Sequence, residues 1–229
     1  MNKNSCLAVI PARKGSKGLP KKNLIYVNDF PLIHWTISAS LGSSLIQETV
    51  VSSNDEEIIS YSKKFNIGTR VRPESISQDN SSSQDLLLDI IKNYHSGKDF
   101  EYLILLQPTS PLRNSEHIDE AIELLRVKEA NALISVTNPK EPPQKTMILN
   151  TKGFLTGLVD DEKPFLPRQK LDRAFKPNGA IYIVKIKEFM LKKTFLLSRT
   201  IPYVMSEESS IDIDTQADVD LVETIMKSH

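Results

Sequence analysis

The sequence has a single cysteine, Cys6, in 229 residues. That excludes an intramolecular disulfide, and no Cys/His cluster exists to hold zinc. No apolar run approaches the length that spans a bilayer, and the opening residues MNKNS lack the apolar core of a signal peptide. Net charge is also missing, with 29 Lys and Arg against 29 Asp and Glu. A general polyanion binder of the nucleic-acid type is therefore disfavoured. There is no internal repeat and no low-complexity tract. These absences leave a reducing, cytoplasmic compartment as the expectation. At 39% hydrophobic and 25% charged residues the composition excludes wholesale disorder, and the length suits one large domain over residues 1–229.

The charge that is present is unevenly placed. The first 28 residues carry six Lys or Arg and no acid, whereas the last 24 carry seven Asp or Glu and one Lys. One pole suits an anion and the other a cation. Within the basic pole the stretch VIPARKGSKGLPKKN places Arg13, Lys14, Lys17, Lys21 and Lys22 around Gly15 and Gly18. Glycines let backbone amides approach an anion, and the lysines supply charge. A triphosphate is the guest this loop suits, although neither the Walker pattern nor GxGxxG is met. The plain alternative is a solvated basic turn. Its position directly after a first buried strand, residues 6–12, favours the phosphate.

Short apolar runs alternate with amphipathic stretches. Strands are expected at residues 6–12, 48–52, 68–72, 101–107, 132–137, 179–185 and 201–205. Helices are expected at 31–44, from Asn54 or Asp55 to about 65, and at 82–93, 116–127 and 215–227. This β–α rhythm predicts a mostly parallel sheet flanked by helices on both faces, with ligands beyond the carboxyl ends of the strands. Residues 138–176 break the rhythm with a run of prolines, and they read as an excursion from the core sheet.

Several further segments carry candidate chemistry. In SSIDIDTQADVD, Asp212 and Asp214 alternate with Ile211 and Ile213. On an extended chain the two carboxylates share a side, with Cβ atoms about 6–7 Å apart. Such a pair can hold Mg²⁺ together with substrate phosphates, or it can simply favour the N-terminus of the last helix. Thr215 and Asp218 have helix-capping spacing. LLQPTSPLR ends a central strand in Gln107 and a rigid turn, and polar groups at the end of a central strand are site candidates; the plain alternative is an ordinary strand-to-helix turn with Arg113 on the surface. RPESISQDNSSS holds Arg72 and Ser83, and PRQKLDRAFKPNGAIYI leads basic residues into a strand.

Taken in order, PARKGSKGLPKKN, LLQPTSPLR, the RQ…F.PNGAIYI segment and SIDIDT resemble the signatures of the CMP-sialic acid synthetases over nearly the whole chain. The resemblance implies a Rossmann-like nucleotidyltransferase fold with a protruding dimerisation arm at 138–176. It implies activation of a nine-carbon α-keto acid sugar with CTP, releasing pyrophosphate. Arg13, Gly15, Ser16, Lys17, Lys22 and Asn23 would hold the nucleotide, with Arg72 and Ser83 on the cytosine. Gln107, Asn178, Tyr182 and Phe195 would line the sugar pocket. Lys145 and Arg168 would reach the neighbour's pocket in a homodimer. Asp212 and Asp214 would hold Mg²⁺, and with Arg13 and Lys22 they form the expected catalytic set. The residues leave open which aspartate accepts the proton. Leu196 beside Phe195 would tilt the acceptor toward legionaminic-type acids. CMP-Kdo synthesis and a silent nucleotide-sensing subunit stand as alternatives.

Overall fold

The structure is a computed structural model describing residues 5–15, 18–78, 80–95 and 97–228. In chain order the elements begin with β1 (Cys6–Pro11), a small hairpin of β2 (Tyr26–Val27) and β3 (Phe30–Pro31), and α1 (Leu32–Gly42). Next come β4 (Glu48–Ser53), α2 (Glu56–Lys63), β5 (Gly68–Val71), α3 (Ser83–Asn93), β6 (Tyr102–Leu105), α4 (Ser115–Val127) and β7 (Ala132–Thr137). A second hairpin, β8 (Met147–Leu149) and β9 (Leu155–Gly157), occupies the excursion. The chain closes with β10 (Lys176–Lys185), α5 (Ile186–Lys192), β11 (Thr200–Val204) and α6 (Gln216–Ser228).

Seven strands form one sheet in the order β11-β7-β10-β6-β1-β4-β5. All neighbours run parallel except β10, which is antiparallel to both β6 and β7. That exception matters for the site. Lys176 pairs with Thr137 at the end of β7. The start of β10 therefore lies at the same edge as the carboxyl ends of the parallel strands. The sheet is mixed in this one strand and otherwise as expected.

Alternation along the strands divides the core into two layers. Cys6, Ala8 and Ile10 of β1 face one side with Ile104, where Ile33 and Ile37 of α1 and Ile118 and Ile122 of α4 cover them. Leu7 and Val9 face the other side with Leu103 and Leu105, covered by Leu86, Leu87 and Ile90 of α3. Residues buried on both faces explain why these strands read as continuous apolar runs. A smaller cluster joins Val27, Leu32, Ile213, Val219 and Val222, tying the acidic segment and α6 to the first hairpin.

Helix starts follow cap chemistry. The Asp55 side chain accepts from the Glu57 amide at the start of α2, and Ser82 and Asn114 form capping boxes at α3 and α4. The helix α5 escaped the sequence reading because its apolar residues run straight on from β10 with no side-chain cap.

Along β10 the register shifts between Pro177 and Tyr182. This bulge contains Gly179 at φ +82, where an added Cβ would lie 2.7 Å from Gln107 Oε1. A left-handed residue in a bulge that close to a neighbour calls for glycine. Gly179→Ala is expected to destabilise the fold by about 1–2 kcal/mol. The loss should appear as a lower denaturant midpoint with an unchanged slope in equilibrium unfolding.

Candidate active site

The carboxyl edge of the sheet gathers segments far apart in sequence. After β1 the chain is held by Ala12 N donating to Ser52 O at 2.9 Å and Lys14 N donating to Asn54 Oδ1 at 2.9 Å. Asn23 Nδ2 donates to Arg13 O at 3.1 Å, closing the loop on itself. Ser16 and Lys17 lie outside the described residues. Gly18 passes so close to the acidic segment that a Cβ there would sit 2.6 Å from Asp214 O.

Among the described residues, two cavities open on this edge. The first, of about 250 Å³, is lined by Arg13, Gly15, Lys22, Asn23, Arg72 and Ser83, together with Gln107, Thr109 and others. Every described residue assigned to the nucleotide from sequence therefore meets in one place. Arg72 is buried, and its pKa is lowered first by that burial and then by the like charge of Arg13. Its Nε has no hydrogen-bond partner. Two guanidiniums that repel each other in a polar cleft are what an anionic ligand would relieve. The neighbouring Arg70 is different, since it forms a two-pronged pair with Asp89 at 2.9 and 2.8 Å.

The second cavity, of about 280 Å³, is lined by Gln107, Thr137, Lys176, Asn178, Tyr182, Ser210 and Asp212, among others. Gln107 belongs to both cavities and forms the wall they share. Asn178 is buried and fully engaged. Its Oδ1 accepts from Ser135 Oγ at 2.6 Å and its Nδ2 donates to Ser210 Oγ at 2.9 Å. It thus braces the bulge of β10 against the acidic segment. Tyr182 has its phenol pKa raised by burial and then by the charge of Asp212. Phe195 packs on Tyr182 with ring centroids 5.0 Å apart and so supports that wall from behind. Lys145 and Arg168 line neither cavity. They sit on the excursion, where Arg168 pairs with Glu141 at 2.6 Å.

The acidic segment keeps the alternation read from sequence, though it forms no strand. Ile213 is fully buried, and its amide donates to Thr109 O at 2.8 Å. Asp212 faces the second cavity. Asp214 accepts from Lys22 Nζ at 2.7 Å, and the same ammonium donates to Ile213 O at 2.9 Å. The Asp218 carboxylate is occupied as the cap of α6, accepting from Thr215 N at 2.7 Å. The pKa of Asp212 is raised, chiefly by burial and also by the charge of Asp214, against a hydrogen bond with Thr109 and the charge of Lys22.

Among the described residues no group of three or more His, Cys, Asp or Glu side chains could hold a metal. Asp212 and Asp214 are nonetheless suitable hard oxygen donors. Mg²⁺ commonly takes one or two carboxylates and completes its shell with water and substrate phosphates, so the donor set fits that ion.

Sequence reasoning missed Thr109, Thr137, Lys176 and Ser210, whose residue types carry no signal on their own. The plain alternative of an ordinary turn with Arg113 on the surface does not hold: Arg113 is 1% exposed, because the turn after β6 folds it between α1 and the strand end.

The raised pKa of Asp212 has a consequence for stability. Its folded form prefers the proton, so the stability it contributes is full below the ordinary aspartate value of about 4 and is lost as pH rises through the higher folded value. Asp212→Asn keeps an acceptor for Thr109 without the charge. At pH 7 it should melt no lower than the parent protein, and the difference should vanish below about pH 4. Thermal melts across pH check this, and a variant that melts lower at pH 7 contradicts it.

The chain matches the family described as Cytidylyltransferase over residues 7–223. It is 34% identical over 214 residues to the N-acylneuraminate cytidylyltransferase of Streptococcus agalactiae serotype V, covering 93% of this chain and 51% of that protein. The chain thus spans about half the length of that relative. It is also 34% identical to the CMP-N,N'-diacetyllegionaminic acid synthase of Legionella pneumophila, over 96% of each chain. The solved structure of a CMP:2-keto-3-deoxy-manno-octonic acid synthetase complexed with CTP superposes with a TM-score of 0.69 at 18% identity, covering 98% of this chain and 99% of that one. At that identity the likeness establishes the fold. With its motifs gathered on one edge, the family match over residues 7–223 and two relatives 34% identical over 93% and 96% of this chain, the chain belongs to the cytidylyltransferase family that includes the CMP-sialic acid synthetases.

Proposed function

We propose that this protein is a nucleotidyltransferase that joins CTP to a nine-carbon α-keto acid sugar of the N-acylneuraminate or legionaminate type. The products are the CMP-sugar and pyrophosphate. The observation that carries this reading is the pair of cavities sharing Gln107 as a wall, one lined by Arg13, Lys22 and Arg72 and the other by Asp212. CTP would occupy the first and the sugar the second, so that the α-phosphate and the anomeric hydroxyl meet at Gln107. The names of the two curated relatives, whose substrates are acids of this kind, support the choice of sugar.

Each residue then has a definable task. Arg13 and Lys22 place positive charge against the triphosphate, and Arg72 and Ser83 lie where the base would sit. To meet a phosphate, Lys22 must exchange its bond with Asp214, which releases that carboxylate. Mg²⁺ is the cofactor we assign. Asp212 and Asp214 would hold it, and when bound it supplies Lewis-acid charge neutralisation at the phosphates. In the reaction the anomeric oxygen bonds to the α-phosphorus, and the bridge from the α- to the β-phosphate breaks. The hydroxyl proton must leave the sugar. Asp212 faces the sugar cavity, a position that suits the acceptor role.

The test is pyrophosphate release from CTP and Mg²⁺ with N-acetylneuraminate, diacetyllegionaminate or Kdo. A nine-carbon acid should give the highest kcat/KM, and Asp212→Asn should lose at least about 100-fold in kcat. No release with any acid would overturn the reading, and Kdo as the best acceptor would overturn its sugar branch.

We further propose a cytoplasmic homodimer. The excursion exposes Leu149 (69%), Phe154 (68%), Leu155 (64%) and Phe165 (79%). Apolar exposure clustered in one segment marks an interaction surface. Docking it on a second copy would carry Lys145 and Arg168 toward the partner's sugar cavity. The lone cysteine, Cys6, is buried in β1, which suits a reducing compartment. Mixing two inactive variants, Arg168→Ala and Asp212→Asn, should restore part of the activity after subunit exchange, because one site of each mixed dimer carries neither lesion. No recovery despite exchange verified by mass would place Arg168 outside the partner's site.

A further inference from the structure

Arg113 is the largest fully buried side chain among the described residues. Burial alone pushes its pKa down to about 9, so it is still a cation at neutral pH. Its one strong hydrogen bond is Nη2 to Thr36 Oγ1 of α1, at 2.7 Å. Its Nε and Nη1 are buried with no hydrogen-bond partner. A buried charge held this way detracts from stability, so packing does not account for it.

Its surroundings point to another role. Arg113 Nη2 and Thr36 Oγ1 both also donate to the Gln107 carbonyl at 3.4 Å, and the Ser110 amide reaches the same oxygen at 3.5 Å. The Arg113 amide in turn donates to Ser110 O at 3.3 Å. The turn so gripped, residues 107–110, contributes the wall shared by the two cavities. It also holds the acidic segment, through the Ile213 amide on Thr109 O at 2.8 Å.

We propose that Arg113 is a positioning residue, clamping the turn after β6 to α1 through Thr36 so that Gln107 and the Asp212–Asp214 segment are held in register across the two cavities. It touches no substrate and acts through main-chain atoms. The kinetic consequences rest on the function proposed above. The structural consequence does not.

Arg113→Met fills the same space without charge or donors, and Thr36→Val removes the relay alone. Hydrogen exchange on the ligand-free protein is the first measurement. The Ile213 amide should exchange at least tenfold faster in Arg113→Met, with the amides of β1 and β6 unchanged. The melting temperature should stay the same or rise, because the unpaired nitrogens are gone. With CTP and the preferred acid, kcat/KM for the acid should fall at least tenfold while the Kd for CTP stays within twofold. Arg113→Lys should recover part of the loss. Thr36→Val should show the same pattern more weakly, and it decides the matter if Arg113→Met fails to fold. Unchanged exchange at Ile213 would overturn the proposal, as would a lower melting temperature with faster exchange throughout the sheet. If the parent protein turns over no acid, the proposed function falls and the exchange result alone judges the clamp.

Discussion

The ion pair between Lys22 and Asp214 joins the two charged poles of this chain across 192 residues. On one side is the loop that follows the first strand, and on the other is the segment that precedes the last helix. Gly18 packed against the Asp214 carbonyl and Ile213 buried in the satellite core bring the two close enough to bond. The bond itself is weak. The Asp214 side chain is 70% exposed, and pairs with such a partner are worth about 0–1 kcal/mol. Burial of Ile213 contributes more, about 1.5–3 kcal/mol, so the segment stays in place when the pair opens. That ordering suits a site that must admit a triphosphate. The anchor is apolar, and the charges are free to change partners.

A common pattern runs through the charged groups of the site. Arg72 faces the like charge of Arg13, Asp212 faces that of Asp214, and Arg113 is buried with Nε and Nη1 lacking hydrogen-bond partners. Each of these arrangements detracts from the stability of the ligand-free protein. Two half-buried cations away from that edge are matched instead, Arg70 by Asp89 at 2.8 Å and Lys185 by Glu101 at 3.0 Å. Like charges and buried unpartnered cationic nitrogens gathered at one edge of the sheet are a usual signature of function held at the expense of stability.

The antiparallel strand β10 completes that edge. Had it run parallel, Asn178 and Tyr182 would follow the reversed chain direction, and the start of the strand would lie at the opposite end of the sheet. Reversal, together with the bulge at Gly179, sets Asn178 beside Ser210 and brings Gln107 Oε1 and Asp212 Oδ1 to the same spot. Because β10 starts at the edge where β7 ends, the excursion between them needs no crossover of the sheet.

What was legible in the sequence follows from local physics. Apolar runs marked the buried strands because period-two alternation is hidden when both faces are covered. Asn54 or Asp55 marked a helix start because a side-chain oxygen there satisfies an open amide, and the structure gives the role to Asp55. The basic loop and the alternating Ile and Asp residues could be read because glycine, charge and spacing carry their chemistry in a few adjacent positions. Tertiary structure alone decided the rest. The direction of β10 leaves no trace in a strand's own periodicity, and α5 had no cap to separate it from that strand. The burial of Arg113 could not be read because nothing within the turn reveals that α1 will close over it. The meeting of Lys22 with Asp214, and of Gln107 with Gly179, depends on contacts between segments distant along the chain, which only the folded sheet brings into reach.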